Sequence, residues 1–173
     1  MTKRIILIAA VAVVTLAADQ LTKRWARATL KGEPAMVIIP GYLDLEYHEN
    51  PGAAFGLLRN VPGARYILIG VGVVALVMVW LMVRKLEHRQ RLGDVAFALV
   101  AGGALGNIWD RVFLVRVVDF VVMHVQRKYV WPAYNVADVA LVFGVGLLIL
   151  TIGRRPEPAR KKPRSAKKRR RRG

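Results

Sequence analysis

Asp19 with Lys23, Asn107 with Asp110 and Arg111, Asp119, and Asn135 with Asp138 stand in or beside long apolar stretches of a 173-residue chain. Ionisable groups in such surroundings are costly, and by default they mark function. If Asp119 and Asp138 meet, both cannot easily ionise, and one proton is shared between them. The ionised member then activates a water and the protonated member polarises a carbonyl. That is aspartic-peptidase chemistry, and the composition suits it. The chain has no cysteine, which removes disulfides, thiolate metal sites and cysteine nucleophiles. Its one serine, Ser165, lies in a basic C-terminal stretch, and Thr22 and Thr29 lack an evident base. His48, His88 and His124 are scattered with no H-E-x-x-H, so neither a metal nor another cofactor is expected.

The spacings favour clusters that face one way. Asp19 and Lys23 are i, i+4 and pair on one helix face. Asn107, Asp110 and Arg111 share a face, as do Asn135 and Asp138. Gly102 and Gly106 form a small-xxx-small pair that admits a neighbouring helix. A blander reading makes Asp19–Lys23 and Asp110–Arg111 helix caps or interfacial anchors. It suits Asp138 less, because that residue lies in an apolar helix with no cation within four residues.

The elements that carry these groups are membrane spans. A spanning helix needs about 20 mainly apolar residues. Tyr66–Val83 is an uninterrupted apolar run of 18 residues. Val136–Ile152 is interrupted only by Asp138 and Val95–Trp109 only by Asn107, while Ile5–Ala18 extends to Lys23 through Asp19 and Gln20. The first run could also be a cleaved leader, but three further spans argue against that. The sequence therefore predicts an α-helical integral membrane protein with four transmembrane helices. Counted from the cytoplasmic ends at about 1.5 Å per residue, Asp19, Asn107 and Asp138 all lie roughly 20–22 Å deep. Three separate segments thus point to one polar level near the outer face.

Between the first two spans, Leu43, Leu45 and Tyr47 alternate with Asp44, Glu46 and His48, the period of a half-buried strand. Val37–Ile39 is its expected partner, with Pro40-Gly41 as the turn. A small extracytoplasmic β-structure is expected over about 32–60, between the first and second helices. The loop Asn50–Gly56, rich in small residues and holding Phe55, is read as a lid or clamp, with a plain interfacial anchor as the alternative.

Lys and Arg number 28 against 11 Asp and Glu, a formal +17. Twelve of those cations lie in residues 154–173, and the rest of the chain has 16 cations against 10 anions. A wholly basic nucleic-acid-binding domain is thereby disfavoured. With Lys3, Arg4 and the loop 84–94, the tail places both termini in the cytoplasm. Residues 1–153 are read as the membrane domain and 154–173 as a disordered basic tail that meets anionic lipid, worth about 1 kcal/mol per cation. No aromatic residue interleaves with its cations, so no nucleic-acid partner is expected.

Five blocks together carry a resemblance. They are Asp19-Gln20-Leu21-Thr22-Lys23, Asn50–Gly56, Gly102–Arg111, Val117-Val118-Asp119-Phe120 and Tyr134-Asn135-Val136-Ala137-Asp138. In order and placement the chain resembles lipoprotein signal peptidase, or signal peptidase II, a family of membrane aspartic peptidases. Tyr134 departs from the family's usual Phe, and the basic tail is not part of its pattern. The resemblance implies that Asp119 and Asp138 are the catalytic pair. It implies that Asn50, Asn107, Arg111 and Asn135 position substrate or support the pair, and that Asp19 and Lys23 stabilise the site. The implied substrate is a bacterial prolipoprotein, cut before its diacylglyceryl-modified cysteine at the outer face of the inner membrane. Two other classes fit less well. A proton-coupled transporter calls for acids nearer the midplane, and a non-catalytic anchor gives no reason for Asn107 and Asp138 inside spans.

Overall fold

The computed structural model describes residues 2–52, 61–84 and 91–153. The loop 53–60 with Phe55, the loop 85–90 and the tail 154–173 lie outside the described residues. The chain runs α1 (Thr2–Thr29), β1 (Met36–Ile39), β2 (Leu43–Asn50), α2 (Ala64–Arg84), α3 (Arg91–Phe113), β3 (Val117–Val125), β4 (Tyr129–Val130) and α4 (Val136–Gly153). Among the described residues α1, α2 and α3 are long and apolar enough to cross a bilayer, and α4 carries a shorter apolar stretch, Val136–Thr151.

Helix α3 is the hub. It packs against α1, α4 and α2, and it holds most of the buried core. Small residues make this possible. A Cβ added at Gly102 would sit 2.7 Å from the Ala12 carbonyl oxygen of α1, and one at Gly103 would sit 2.5 Å from that of Ala137 in α4. Helices pressed together at glycine gain close contact that lipid alone does not drive. Ala96, Phe97, Val100, Ala101 and Leu148 form the apolar centre, with Ile8, Leu76 and Val79 against them. The outward faces remain apolar, as at Val13, Val14, Val71, Val74, Met78, Val142 and Phe143, which suits a lipid surround. Arg4 meets Asp94 at 2.7 Å, so the starts of α1 and α3 lie at one level.

The four strands form an antiparallel order β1-β2-β3-β4. The expected hairpin of β1 and β2 is present, and Gly41 takes φ +83 at its turn, where a side chain would be strained. The expectation that the β-structure belongs only to the connection between the first two helices is incomplete. β3, from the connection between α3 and α4, pairs along β2 from Leu43↔Met123 to Asn50↔Val117. A lone two-stranded hairpin is marginal in water, and β3 supplies the third strand that makes the sheet viable.

The alternation along β2 also needs correction. Leu45 and Tyr47 pack against Ala26, Leu30 and Phe120 as expected. Asp44, assigned to the wet face, is buried, because His124 and Arg127 of the β3–β4 hairpin cover it. His124 Nε2 lies 2.8 Å from Asp44 Oδ2, and the Arg127 backbone N–H donates to His124 Nδ1 at 3.3 Å.

Candidate active site

The start of α4 brings the two candidate carboxylates together. Tyr134, just before the helix, bonds to β3: its N–H donates to the Val121 carbonyl at 3.1 Å, and its carbonyl accepts from Val121 and Phe120. Asn135 follows as the helix cap. Its Oδ1 accepts the Asp138 N–H at 3.0 Å, while the Asn135 N–H donates to Asp138 Oδ2 at 3.2 Å. This reciprocal pair is a capping box with Asp at its third position. The Asn135 side-chain amide then donates to Asp119 Oδ1 at 2.6 Å. One residue thus holds both carboxylates, Asp138 through its backbone and Asp119 through its side chain.

Each oxygen of the pair has a donor. Asn107 Nδ2 donates to Asp138 Oδ1 at 2.8 Å, and Asn50 Nδ2 donates to Asp119 Oδ2 at 3.0 Å. Asn50 ends β2, so the β2–β3 pairing sets its reach. Arg111, one turn beyond Asn107, donates to the Asn107 carbonyl at 3.0 Å, and its charge acts on Asp138, Asp119 and Asp110. Burial pushes the Asp119 carboxyl up from its ordinary 3.8 to about 6. The Asn50 hydrogen bond opposes that rise, and the nearby charge of Asp138 adds to it.

Behind the pair lies a buried ionic scaffold. Lys23 Nζ directs its three protons to Asp19 Oδ2 at 2.9 Å, Asp110 Oδ2 at 3.1 Å and Asn107 Oδ1 at 2.9 Å. Lys23 is 1% exposed and both acids are fully buried, so each charge must be matched on the spot. Asp19 Oδ1 accepts from the Ala137 N–H of α4, and Asp110 Oδ2 accepts from the Val118 N–H of β3. Lys23 also fixes which way the Asn107 amide points. Its ammonium can only donate, so the Asn107 oxygen turns to it and the NH2 group turns to Asp138.

All eight residues singled out from the sequence converge here: Asp19, Lys23, Asn50, Asn107, Arg111, Asp119, Asn135 and Asp138. Two further residues belong with them. Asp110 pairs with Lys23 of α1 rather than with its neighbour Arg111. Gln20 bridges Asp19 and Asp110 through Nε2, at 3.1 and 3.0 Å. Only the partnership between helices gives either residue its role, although Gln20 stands inside the block that contains Asp19 and Lys23. No cluster of three or more His, Cys, Asp or Glu with metal-holding geometry occurs among the described residues.

The sequence profile of the family described as Signal peptidase (SPase) II matches residues 11–154. The chain belongs to the signal peptidase II family. It is an aspartic endopeptidase of that type, and it is similar to several curated members. A lipoprotein signal peptidase of Syntrophotalea carbinolica is 43% identical over 141 residues, covering 81% of this chain and 86% of that protein. One of Symbiobacterium thermophilum is 41% identical over 139 residues, covering 80% of this chain and 89% of that protein. The fold agrees with a solved bacterial membrane enzyme at TM-score 0.73 and 31% identity, covering 84% of this chain and 91% of the other. A second such structure gives TM-score 0.71 at 28% identity, covering 87% and 93%.

Proposed function

We propose that Asp119 and Asp138 are the catalytic pair with which this signal peptidase II removes signal peptides from bacterial prolipoproteins. The observation that carries the reading is the pair itself. Two carboxylates from separate elements share Asn135, and every oxygen is oriented by an N–H donor. In the reaction one carboxylate takes a proton from the attacking water, and its protonated partner donates to the scissile carbonyl oxygen. The tetrahedral intermediate collapses with proton transfer to the leaving amine.

The substrate is a prolipoprotein cut before a diacylglyceryl-modified cysteine, whose lipid keeps the bond at the membrane surface. Four helices span the inner membrane with both termini cytoplasmic, and the pair lies near the outer face. Residues 1–153 form the peptidase domain, and 154–173 form a basic cytoplasmic tail that meets anionic lipid. Exposed Met36–Ile39, Tyr42, Met123, Val125, Tyr129 and Trp131 suit a sheet lying along the outer interface, where it holds substrate from above.

The test uses purified protein in lipid or detergent with a diacylglyceryl-cysteine prolipoprotein peptide, beside its unlipidated form. Cleavage before the lipidated cysteine is expected, with loss of at least about a thousandfold in Asp119→Asn and Asp138→Asn. Cleavage that survives either substitution in folded protein would discard the pair.

A further inference from the structure

A groove of about 450 Å³ runs between the C-terminal halves of α1 and α3. Gln20, Leu21, Lys23, Arg24, Arg27 and Trp109 are among the residues that line it. Leu21, Arg24 and Arg27 lie three or four residues apart and so form one stripe of α1. Leu21 is 66% exposed and Trp109 49%, so the lower groove is open and apolar. At its upper end stand two arginines. Among the described residues neither Arg24 nor Arg27 takes part in an ion pair, although the cations to either side of them, Lys23 and Lys31, both do.

Depth gives these arginines a meaning. The Arg4–Asp94 pair sets the starts of α1 and α3 at one level. Arg24 lies 20 residues on, about 30 Å along the helix, which is the full thickness of the hydrocarbon core. Trp109 lies 15 residues beyond Asp94, about 22 Å, in the outer third of that core. The groove therefore reads upward as indole and apolar wall together, Trp109 at about 22 Å and Leu21 at about 25 Å, then unpaired guanidinium groups from about 30 Å. That order matches an acyl chain below and a phosphate above.

We propose that this groove binds one anionic phospholipid of the outer leaflet, with its phosphate on Arg24 and Arg27 and an acyl chain along Leu21 beside Trp109. Guanidinium groups match phosphate oxygens in geometry as well as charge. The carboxylate pair does not line the groove, but Lys23 does, and Lys23 also holds Asn107. Gln20, in the groove wall, bonds to Asp19 and Asp110, so the occupant would rest against the scaffold that holds Lys23. The choice of leaflet rests on the topology proposed above; the groove itself does not.

The test is photolabelling of the full chain in phosphatidylcholine vesicles doped with phosphatidylglycerol bearing a diazirine acyl chain, with labelled peptides mapped by mass spectrometry. Label is expected on the α1 and α3 peptides of the groove. Unlabelled phosphatidylglycerol should suppress it and phosphatidylcholine should not. Label on α2 serves as the measure of bulk lipid. Arg24→Gln with Arg27→Gln should lower groove label relative to α2 by about tenfold. Leu21→Trp, which keeps both charges and fills the groove, should also lower it. Groove label unchanged in both variants, equal labelling by a phosphatidylcholine probe, or α1–α1 cross-links showing a second copy in the groove would overturn the proposal. Prolipoprotein cleavage in the same vesicles tests the peptidase reading apart from it.

Discussion

Burial raises the Asp119 carboxyl above its ordinary value, and stability should register it. Its folded value of about 6 exceeds its ordinary 3.8, so the folded state holds the proton more tightly. The stability this contributes is fully present below about pH 3.8 and is lost as pH rises through about 6. A shift of about two units corresponds to about 3 kcal/mol as an upper bound. The wild-type melting temperature should therefore fall between pH 4 and 7 more steeply than that of Asp119→Asn. Parallel curves from differential scanning fluorimetry would contradict it. Lys23 makes a second case at this scale. Lys23→Met strands Asp19 and Asp110 as buried unpaired carboxylates and should cost about 3–5 kcal/mol. It also releases the Asn107 amide, so activity per folded molecule should fall; full activity in the surviving protein would show that Asn107 does not need Lys23.

The elements deliver these side chains through contact rather than through propensity. α3 touches α4 through Gly103, where a Cβ would sit 2.5 Å from a backbone oxygen that cannot swing aside. Gly103→Ala should push α4 away, move Asp138 from Asn107, and cost about 1–3 kcal/mol with a loss of kcat. Gly146→Ala is the control: nothing lies within 4 Å of its added Cβ, so that variant should be neutral or slightly stabilised. Equal effects from the two alanines, read from thermal midpoints and turnover, would remove close packing as the cause. The sheet has a parallel role. β3 carries Asp119 while β2 brings Asn50 beside it, and the Tyr134 bridge seats the start of α4 on β3. The site thus stands where two strands and three helices meet.

Across the whole molecule, charge lies at the ends and at the polar level of the site, and apolar surface fills the space between. Residues 154–173 follow α4, whose first turn carries Asp138. Deleting residues 158–173 should leave turnover of correctly inserted protein unchanged while weakening its hold on anionic vesicles, measured by co-sedimentation. Loss of turnover would give the tail a catalytic part.

The sequence by itself determined the apolar helices, the β1–β2 hairpin and, with the help of the five ordered blocks, the eight residues that converge. These are local or periodic signals, because an apolar run of 18 residues or an i, i+4 pair is written in adjacent positions. Family membership was legible as well, because five ordered blocks together are specific. Only the tertiary structure decided the partners. It placed β3 beside β2, buried Asp44 under His124, turned Asp110 from Arg111 to Lys23, and made Gln20 a bridge. Each of these contacts joins residues distant in sequence, and the free energy of burying a charge depends on which group arrives opposite it. Spacing along one element sets which face a side chain takes; only packing sets what that face meets.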